Sequence, residues 1–406
     1  MHPVFGRLER RAVPLDESTI DPDAARTARR LIRAGFEAYL VGGCVRDLLL
    51  GQFPKDFDVA TSARPEEVRA VFRASRIIGR RFRLAHVLCP AGKIIEVATF
   101  RRNPNTQESS SDEDADDLII RSDNVYGNVE EDALRRDFTI NALFYDIEAR
   151  EILDFAGGMR DIERRTVRTI NDPVMRFRED PVRILRAIKF AARLDLGLDP
   201  ELVDAIIATR DSLHLASKMR LFEEVLRLLR SGSARRAIFL AWELGVLHEM
   251  MPELAVMLDD VDGDDGIPAR IFRLFTELDA RTRERGEPPT DVVLWTLLIL
   301  EPALEACQGS PDRLSTFMDF VEPLAARLAV HRRIIDAVRR IIAMLPKLWN
   351  GHIAKATRSD VFDEAVAVAE ISLAARGEYE AAAQIRKAFL ASRRPRRAPE
   401  RPNATR

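Results

Sequence analysis

The chain has 406 residues, 46% of them hydrophobic and 32% charged, with a formal net charge of -2. That length exceeds one ordinary core and implies two or three domains; the near-neutral charge excludes a uniformly basic nucleic-acid binder, so any RNA contact has to use local basic patches. Cys44, Cys89 and Cys307 are too few and too scattered for a disulfide framework or a zinc cluster, and neither a secretory signal nor a membrane-length apolar run is present, so the expected location is cytoplasmic.

Residues 1–23 are charged and Pro-containing and read as a loose leader. AARTARRLIRA (24–34) has helical spacing closed by Gly35. AYLVGG and DFDVAT read as strands, and ARPEEVRAVF (63–72) as a helix start with Pro65 in its first turn. RLAHVLCP and KIIEVATF are strand-like runs joined at Ala91-Gly92. NPNTQESSSDEDADD (103–117) is polar, acidic and Ser-rich and is expected to be a mobile loop, with gating of the site left open.

Residues 138–155 alternate short apolar runs with turns, ending at Gly157-Gly158. From about residue 175 the pattern turns wholly helical and stays so to about 390. Trp295 and Trp349 are expected in the core, and His86, His248 and His331 show no ligand spacing. SRRPRRAPERPNATR at the end is Arg- and Pro-rich and cannot build a core.

Four motifs carry chemistry. VGGCVRDLLLGQFPKDFDVAT (41–61) opens with Gly42 and Gly43, which let backbone amides approach a triphosphate. Arg46 is a fork donor suited to phosphate. Asp56 and Asp58 are two apart in a β-prone context, which places both carboxylates on one strand face. Such a pair is costly without a cation, and two magnesium ions roughly 3.5–4 Å apart would serve an attacking and a leaving oxygen. A lone Asp-x-Asp reads as a solvated turn; the whole string with its spacing does not.

Glu96 is the only charge in the apolar run IIEVATF, which calls for a reason; an edge strand facing water is the plain one. RRDFTINALFYD (135–146) places Arg-Arg-Asp ahead of a β-prone run, as a capped strand start would. In REDPVRILRAIKFAARL (178–194), Pro181 fits a helix first turn. Asp180 and Arg183 are then neighbours on one helix face. The pair is either a helix-start ion pair or a base reader. A carboxylate accepting from adenine N6 or cytosine N4, beside a guanidinium donating to N1 or N3, would reject uracil and guanine.

These strings resemble the opening and nucleotide-binding motifs of the nucleotidyltransferase superfamily, in its bacterial branch of poly(A) polymerases and tRNA CCA-adding enzymes. The resemblance covers roughly residues 30–255. It implies an α+β chain: a head with a small mixed β-sheet and helices, then an all-α neck and body, then a disordered basic tail. The expected layout is a catalytic head over 24–156, a neck and RNA-binding helical domain over 157–255, a C-terminal helical domain over 256–392, and a tail over 393–406.

The resemblance also assigns residues. Asp56, Asp58 and Glu96 would hold two Mg2+ ions. Gly42, Gly43, Arg46 and Asp47 would shape the phosphate pocket. Arg136 and Asp137 would contact sugar and phosphate, with Asn141 as polar support. Asp180 and Arg183, with Glu179 completing the Glu-Asp-x-x-Arg string, would select the base, and Arg186 would support phosphate or backbone geometry. Arg160 and Asp161 read as a structural pair outside the site.

GRRFRLAHV (79–87), NVYGNVEEDALRRDFTINALFYD (124–146) and KMRLFEEVLRLLRSG (218–232) lean toward the poly(A) polymerase branch, as does the basic tail, which can neutralise RNA phosphates. The expected reaction joins AMP from ATP to RNA 3′ ends, in mRNA or tRNA, releasing pyrophosphate. CCA or A addition to tRNA is the alternative, because both activities share these motifs. An inactive RNA-binding protein is a third reading, which the clustered acids oppose because they repel phosphate. A small-molecule nucleotidyltransferase would lack the Glu-Asp-Pro-x-Arg helix and the long helical body.

Overall fold

The computed structural model describes residues 6–13, 15–79, 83–102, 125–259, 266–352 and 359–393. The acidic segment 103–117 and the basic tail from 394 lie outside the described residues. The chain divides into two compact units, Met1–Ser212 and Leu213–Arg406.

The first unit is built on eight strands: β1 (Glu9–Ala12), β2 (Ala38–Val41), β3 (Asp58–Thr61), β4 (Ser75–Ile78), β5 (Leu84–Leu88), β6 (Ile94–Thr99), β7 (Leu143–Asp146) and β8 (Glu151–Asp154). They lie in the order β1-β8-β7-β2-β3-β6-β5-β4. All neighbours are antiparallel except β3 and β6. A parallel pair needs a crossover. The chain makes it through helix α3 (Pro65–Val71) and the strands β4 and β5.

Helix α1 (Pro22–Arg33) is capped by Asp21, which accepts from the amides of Asp23 and Ala24, and it packs on β2, β3 and β6. Gly35, at φ 91°, follows its end. Helix α2 (Gly43–Leu49) follows β2 directly. The segment expected as a leader is corrected in part: residues 9–12 pair with Glu151–Asp154 and form the sheet's edge strand. Their charged side chains are exposed, as suits an edge, which is why the composition reads as unstructured.

Helices α4 (Val129–Leu134), α5 (Gly158–Glu163), α6 (Pro173–Glu179), α7 (Arg183–Arg193) and α8 (Pro200–Thr209) complete the first unit. A two-residue parallel pair, β9 (Thr166–Val167) and β10 (Gly197–Leu198), accompanies them. The expected head–neck boundary at 156/157 falls inside this unit. Asp154 explains why the chain does not break there: its carboxylate accepts the amides of Ala156, Gly157, Gly158 and Met159 and seats α5 against the end of β8. Tyr39, Val41, Phe100, Phe144 and Leu153 form the core over one sheet face, with edge-to-face packing of Phe144 against both Tyr39 and Phe100.

The second unit is helical among the described residues: α9 (Lys218–Leu229), α10 (Ala234–Glu243), α11 (Val246–Met250), α12 (Pro252–Leu258), α13 (Ile267–Arg285), α14 (Asp291–Ala306), α15 (Arg313–Arg327), α16 (Arg332–Trp349), α17 (Phe362–Ala375) and α18 (Tyr379–Arg393). α14 is apolar nearly all round and sits at its centre, where Trp295 is fully buried against Phe222. Trp349 donates to Ser372 Oγ. No helix among the described residues is long and apolar enough to cross a membrane.

Candidate active site

Asp58 begins β3 and is the registered partner of Glu96 on the parallel neighbour β6 and of Val41 on the antiparallel neighbour β2. Cross-strand partners share a face, so the two carboxylates stand side by side. Asp56 is not part of the strand, a correction to the expected Asp-Phe-Asp strand. Pairing on both sides starts only at Asp58, after the segment through half-buried Pro54 and exposed Lys55. Asp56 still belongs to the same electrostatic group. Burial first, then the charge of Glu96, push the Asp58 carboxyl up to about 6; Arg136 pulls it down and Asp56 pushes it further up.

Gly42 joins β2 to α2 at φ 75° and ψ -122°, a conformation closed to residues with a side chain. A Cβ there would also lie 3.2 Å from Nη1 of Arg136. At Gly43 the nearest atom to such a Cβ is 3.6 Å away, ordinary contact, so the turn's demand falls on Gly42.

Arg46, expected at phosphate, is 3% exposed and sits inside the unit. Its Nε and Nη2 donate to Asp47 Oδ1 at 2.8 and 2.6 Å, and its Nη1 to Asn141 Oδ1 at 2.5 Å. Asp47 Oδ2 accepts from Arg193 at 2.9 Å. The guanidinium therefore braces α2 against residue 141 and the end of α7; it has been desolvated and paired where the sequence suggested an open phosphate contact.

Arg136 is held by Asp132 Oδ2 at 2.8 Å and lies over the Phe144 ring. Asp132 also accepts from Arg135 and from the Arg101 amide. Asp137 Oδ2 takes Nε of Arg186 at 2.7 Å, and its Oδ1 accepts from the Phe138 amide. Burial pushes Asp137 up, but Arg186 outweighs it and holds the carboxyl below its ordinary range.

The Glu-Asp-Pro-x-Arg segment is not the start of one helix, a second correction. Asp180 is the C-cap of α6 at φ -152° and ψ 91°, while α7 begins at Arg183. Proline disfavours helical backbone in the residue before it, and Pro181 has no amide to continue α6. Arg183 consequently pairs with Glu179: its Nη1 donates to Glu179 Oε2 at 2.9 Å and to the Arg176 carbonyl at 2.8 Å. Arg176 was not singled out in the sequence, yet it joins the motifs. It is 3% exposed. Its Nη2 donates to the carbonyls of Arg135 and Arg136, and its Nη1 to Glu179. The signal available was an arginine four residues before the Asp180 turn, which helical spacing alone does not distinguish from a surface charge. Asp161 is likewise engaged by Thr139 and Arg168, where Arg160 had been its expected partner.

The donor set suits a divalent cation. Three acids load one end of the β3–β6 pair with negative charge, and the Asp58 carboxyl is raised by its burial first and by the charges of Glu96 and Asp56 after it. Among the described residues no three acidic, histidine or cysteine side chains converge as a preformed ion site. Oε1 of Glu96 lies 3.3 Å from Nε2 of His86, its partner on β5.

Residues 38–168 match the family model described as "Poly A polymerase head domain", and residues 195–258 match "Probable RNA and SrmB- binding site of polymerase A". The chain is 40% identical over 341 residues to poly(A) polymerase I of Salmonella typhimurium, covering 80% of this chain and 72% of that protein. It is 40% identical over 227 residues to a CCA-adding enzyme of Geobacillus thermodenitrificans, 56% of this chain and 54% of that protein. The crystal structure of the Bacillus stearothermophilus CCA-adding enzyme in complex with CTP superposes with a TM-score of 0.65 at 26% identity, covering 92% of this chain and 83% of that one.

Proposed function

Because the chain belongs to the family of bacterial poly(A) polymerases and tRNA nucleotidyltransferases, we propose that it is a template-independent polynucleotide adenylyltransferase of the cytoplasm, joining AMP from ATP to RNA 3′ ends with release of pyrophosphate. The observation that carries this reading is the pairing of Asp58 with Glu96, with the charge of Asp56 acting on it, beside the Gly42 turn and Arg136. Polyadenylation is favoured over CCA addition because the chain is 40% identical to the poly(A) polymerase over 80% of its length, against 35% identity over 71% for a CCA-adding relative.

The cofactor proposed is Mg2+, in two ions held by Asp56, Asp58 and Glu96; when bound it polarises the α-phosphate and lowers the pKa of the primer 3′-OH. The chain's own residues set the rest. Gly42 and Gly43 bring backbone amides to the triphosphate, while Arg46 and Asp47 hold that turn from beneath through Asn141 and Arg193. Arg136, and Asp137 through Arg186, face the sugar and phosphate. Asp180 and Arg183 read the base edge. Arg183 is fixed through Nη1, and its Nε and Nη2 donate no hydrogen bond to described residues, so an edge of the fork is open to a base. Locking one nitrogen reduces the entropy lost on binding.

CCA addition is the second reading, favoured by the superposition on the CCA-adding enzyme. Primer extension with magnesium separates the two, with each nucleotide alone and CTP plus ATP together, on an unstructured RNA and on a tRNA lacking its last three bases. Long ladders with ATP alone on the unstructured RNA are expected. Addition that stops after three residues on the tRNA and needs both nucleotides would make the chain a CCA-adding enzyme.

A further inference from the structure

The exposed side of α1 carries Arg26, Arg29, Arg30 and Arg33 at the spacing of one helix face, over about 10 Å. A charged stripe of this kind is commonly only a solvated surface, but this one borders a cavity. A cleft of about 500 Å3 runs beside it, lined by all four arginines and by Phe72, Val87 and Leu88. A second cleft of about 350 Å3 shares Arg30, Phe72, Val87 and Leu88 and adds Arg73, so the two form one groove.

The groove is positive. Five arginines line it; Arg26 is paired with Asp23 and Arg29 with Glu148, which leaves Arg30, Arg33 and Arg73 without an acid partner among the described residues. Arg30 is positioned from behind: its Nη2 donates to the Val71 carbonyl at 2.6 Å and its guanidinium lies 4.8 Å from the Phe72 ring centre. Arg33 and Arg73 are exposed and have no hydrogen-bond or ion-pair partner among the described residues. Holding unpaired like charges together costs free energy, which an anion offsets.

The groove lies on the sheet face opposite the carboxylates. Val87, which lines it, is paired with Ile95, and both point away from the face of their chain neighbours His86 and Glu96. It is therefore separate from the nucleotide site. A mononucleotide would fill one end. A chain of phosphates matches the stripe, because guanidinium forks recognise each phosphate and an unstructured RNA presents one per nucleotide. With a net charge of -2, the chain holds a polyanion through local patches of this kind.

We propose that this groove binds backbone phosphates of single-stranded RNA upstream of the 3′ end, as a second anchoring track for long substrates. The proposal rests on the adenylyltransferase reading for its biological meaning, but its test is a binding measurement. The double variant Arg33→Gln/Arg73→Gln is compared with the natural chain for affinity toward a short and a long labelled oligo(A) across a salt series, and for AMP addition to both.

Loss of two phosphate contacts should reduce the steepness of log K against log salt by about 1.4 for the long RNA. Affinity for the long RNA should fall at least about fivefold at low salt, with short-primer addition unchanged. Arg33→Lys/Arg73→Lys should restore the slope, since charge is what it reads. An unchanged slope and affinity on long RNA would overturn the proposal, and is what a groove made for an acidic protein segment would give; equal loss in the lysine variant would also overturn it. Failure of the natural chain to add AMP to either RNA would sink the adenylyltransferase reading, while the salt slope would still decide the groove.

Discussion

Asp58 and Glu96 face one another across the parallel pair of strands in an otherwise antiparallel sheet. The register sets two carboxylates in one row, 38 positions apart in the chain, with Asp56 adding a third charge from the preceding turn. Asp56→Ala or Asp58→Ala should leave folding and RNA binding intact while nucleotide addition falls by three orders of magnitude or more, about 4 kcal/mol of transition-state stabilisation. Thermal melts and filter binding check the first part and primer extension the second. Retained addition in either variant would remove these residues from the metal assignment.

The same crowding predicts a stability effect of the opposite sign. The folded-state carboxyl of Asp58 is raised to about 6 from an ordinary value of 3.8. The folded protein therefore binds that proton more tightly than the unfolded chain. The stabilisation is fully present below about 3.8 and is lost as pH rises through about 6. With a chelator present, Asp58→Asn should melt higher than the natural chain at pH 7 by an amount on the order of 2 kcal/mol. The difference should shrink toward pH 4. Equal melting of the two proteins across that range would show that burial and the neighbouring acids do not raise the carboxyl.

Arg183 is held by Glu179, and Glu179 by Arg176, whose other nitrogen grips the carbonyls of Arg135 and Arg136. Arg183→Ala should blur the preference for ATP more than it weakens primer binding. Glu179→Gln should do the same more mildly, by about tenfold, since the acceptor stays but the charge goes. Competition among the four nucleotides reads this directly, and unchanged discrimination in Arg183→Ala would count against α7 as the reader. Arg176→Leu leaves the carbonyls of Arg135 and Arg136 without this donor and Glu179 with Arg183 alone, and should cost about 3 kcal/mol of stability.

Gly158 is tighter than Gly42 or Gly43. A Cβ at this position would sit 2.3 Å from the Thr139 carbonyl oxygen and 2.9 Å from its carbon, both backbone atoms that cannot swing away. Gly158→Ala should push α5 off residues 139–141 and destabilise the first unit by about 2–3 kcal/mol. It should also loosen Asn141, the residue that holds Arg46. A melting temperature within a degree of the natural chain would show that the contact gives way without cost.

The sequence exposes what is local. Asp21 and Pro22 cap α1, Pro65 opens α3, and the alternating runs 84–88 and 94–99 are strands, because caps and side-chain period act within a few residues. It misleads at 9–12, where charged residues form an edge strand whose partner lies about 140 residues away, and at 180–183, where a proline turns one helix into two.

By itself, then, the sequence determined which chemistry is present: the glycine turn at 42–43, the acids at 56, 58 and 96, and the Arg-Asp and Glu-Asp-x-x-Arg strings, since residue type fixes what a side chain can donate, accept or ligate. Only the tertiary structure decided how those groups are spent. It paired Asp58 with Glu96 through strand register, buried Arg46 on Asp47 and Asn141, brought in Arg176 as the joint between two motifs, and laid five arginines along a groove on the far face of the sheet. Burial and partnership are properties of neighbours distant in the chain, and a guanidinium that braces and one that waits for phosphate are the same letter until the fold surrounds them.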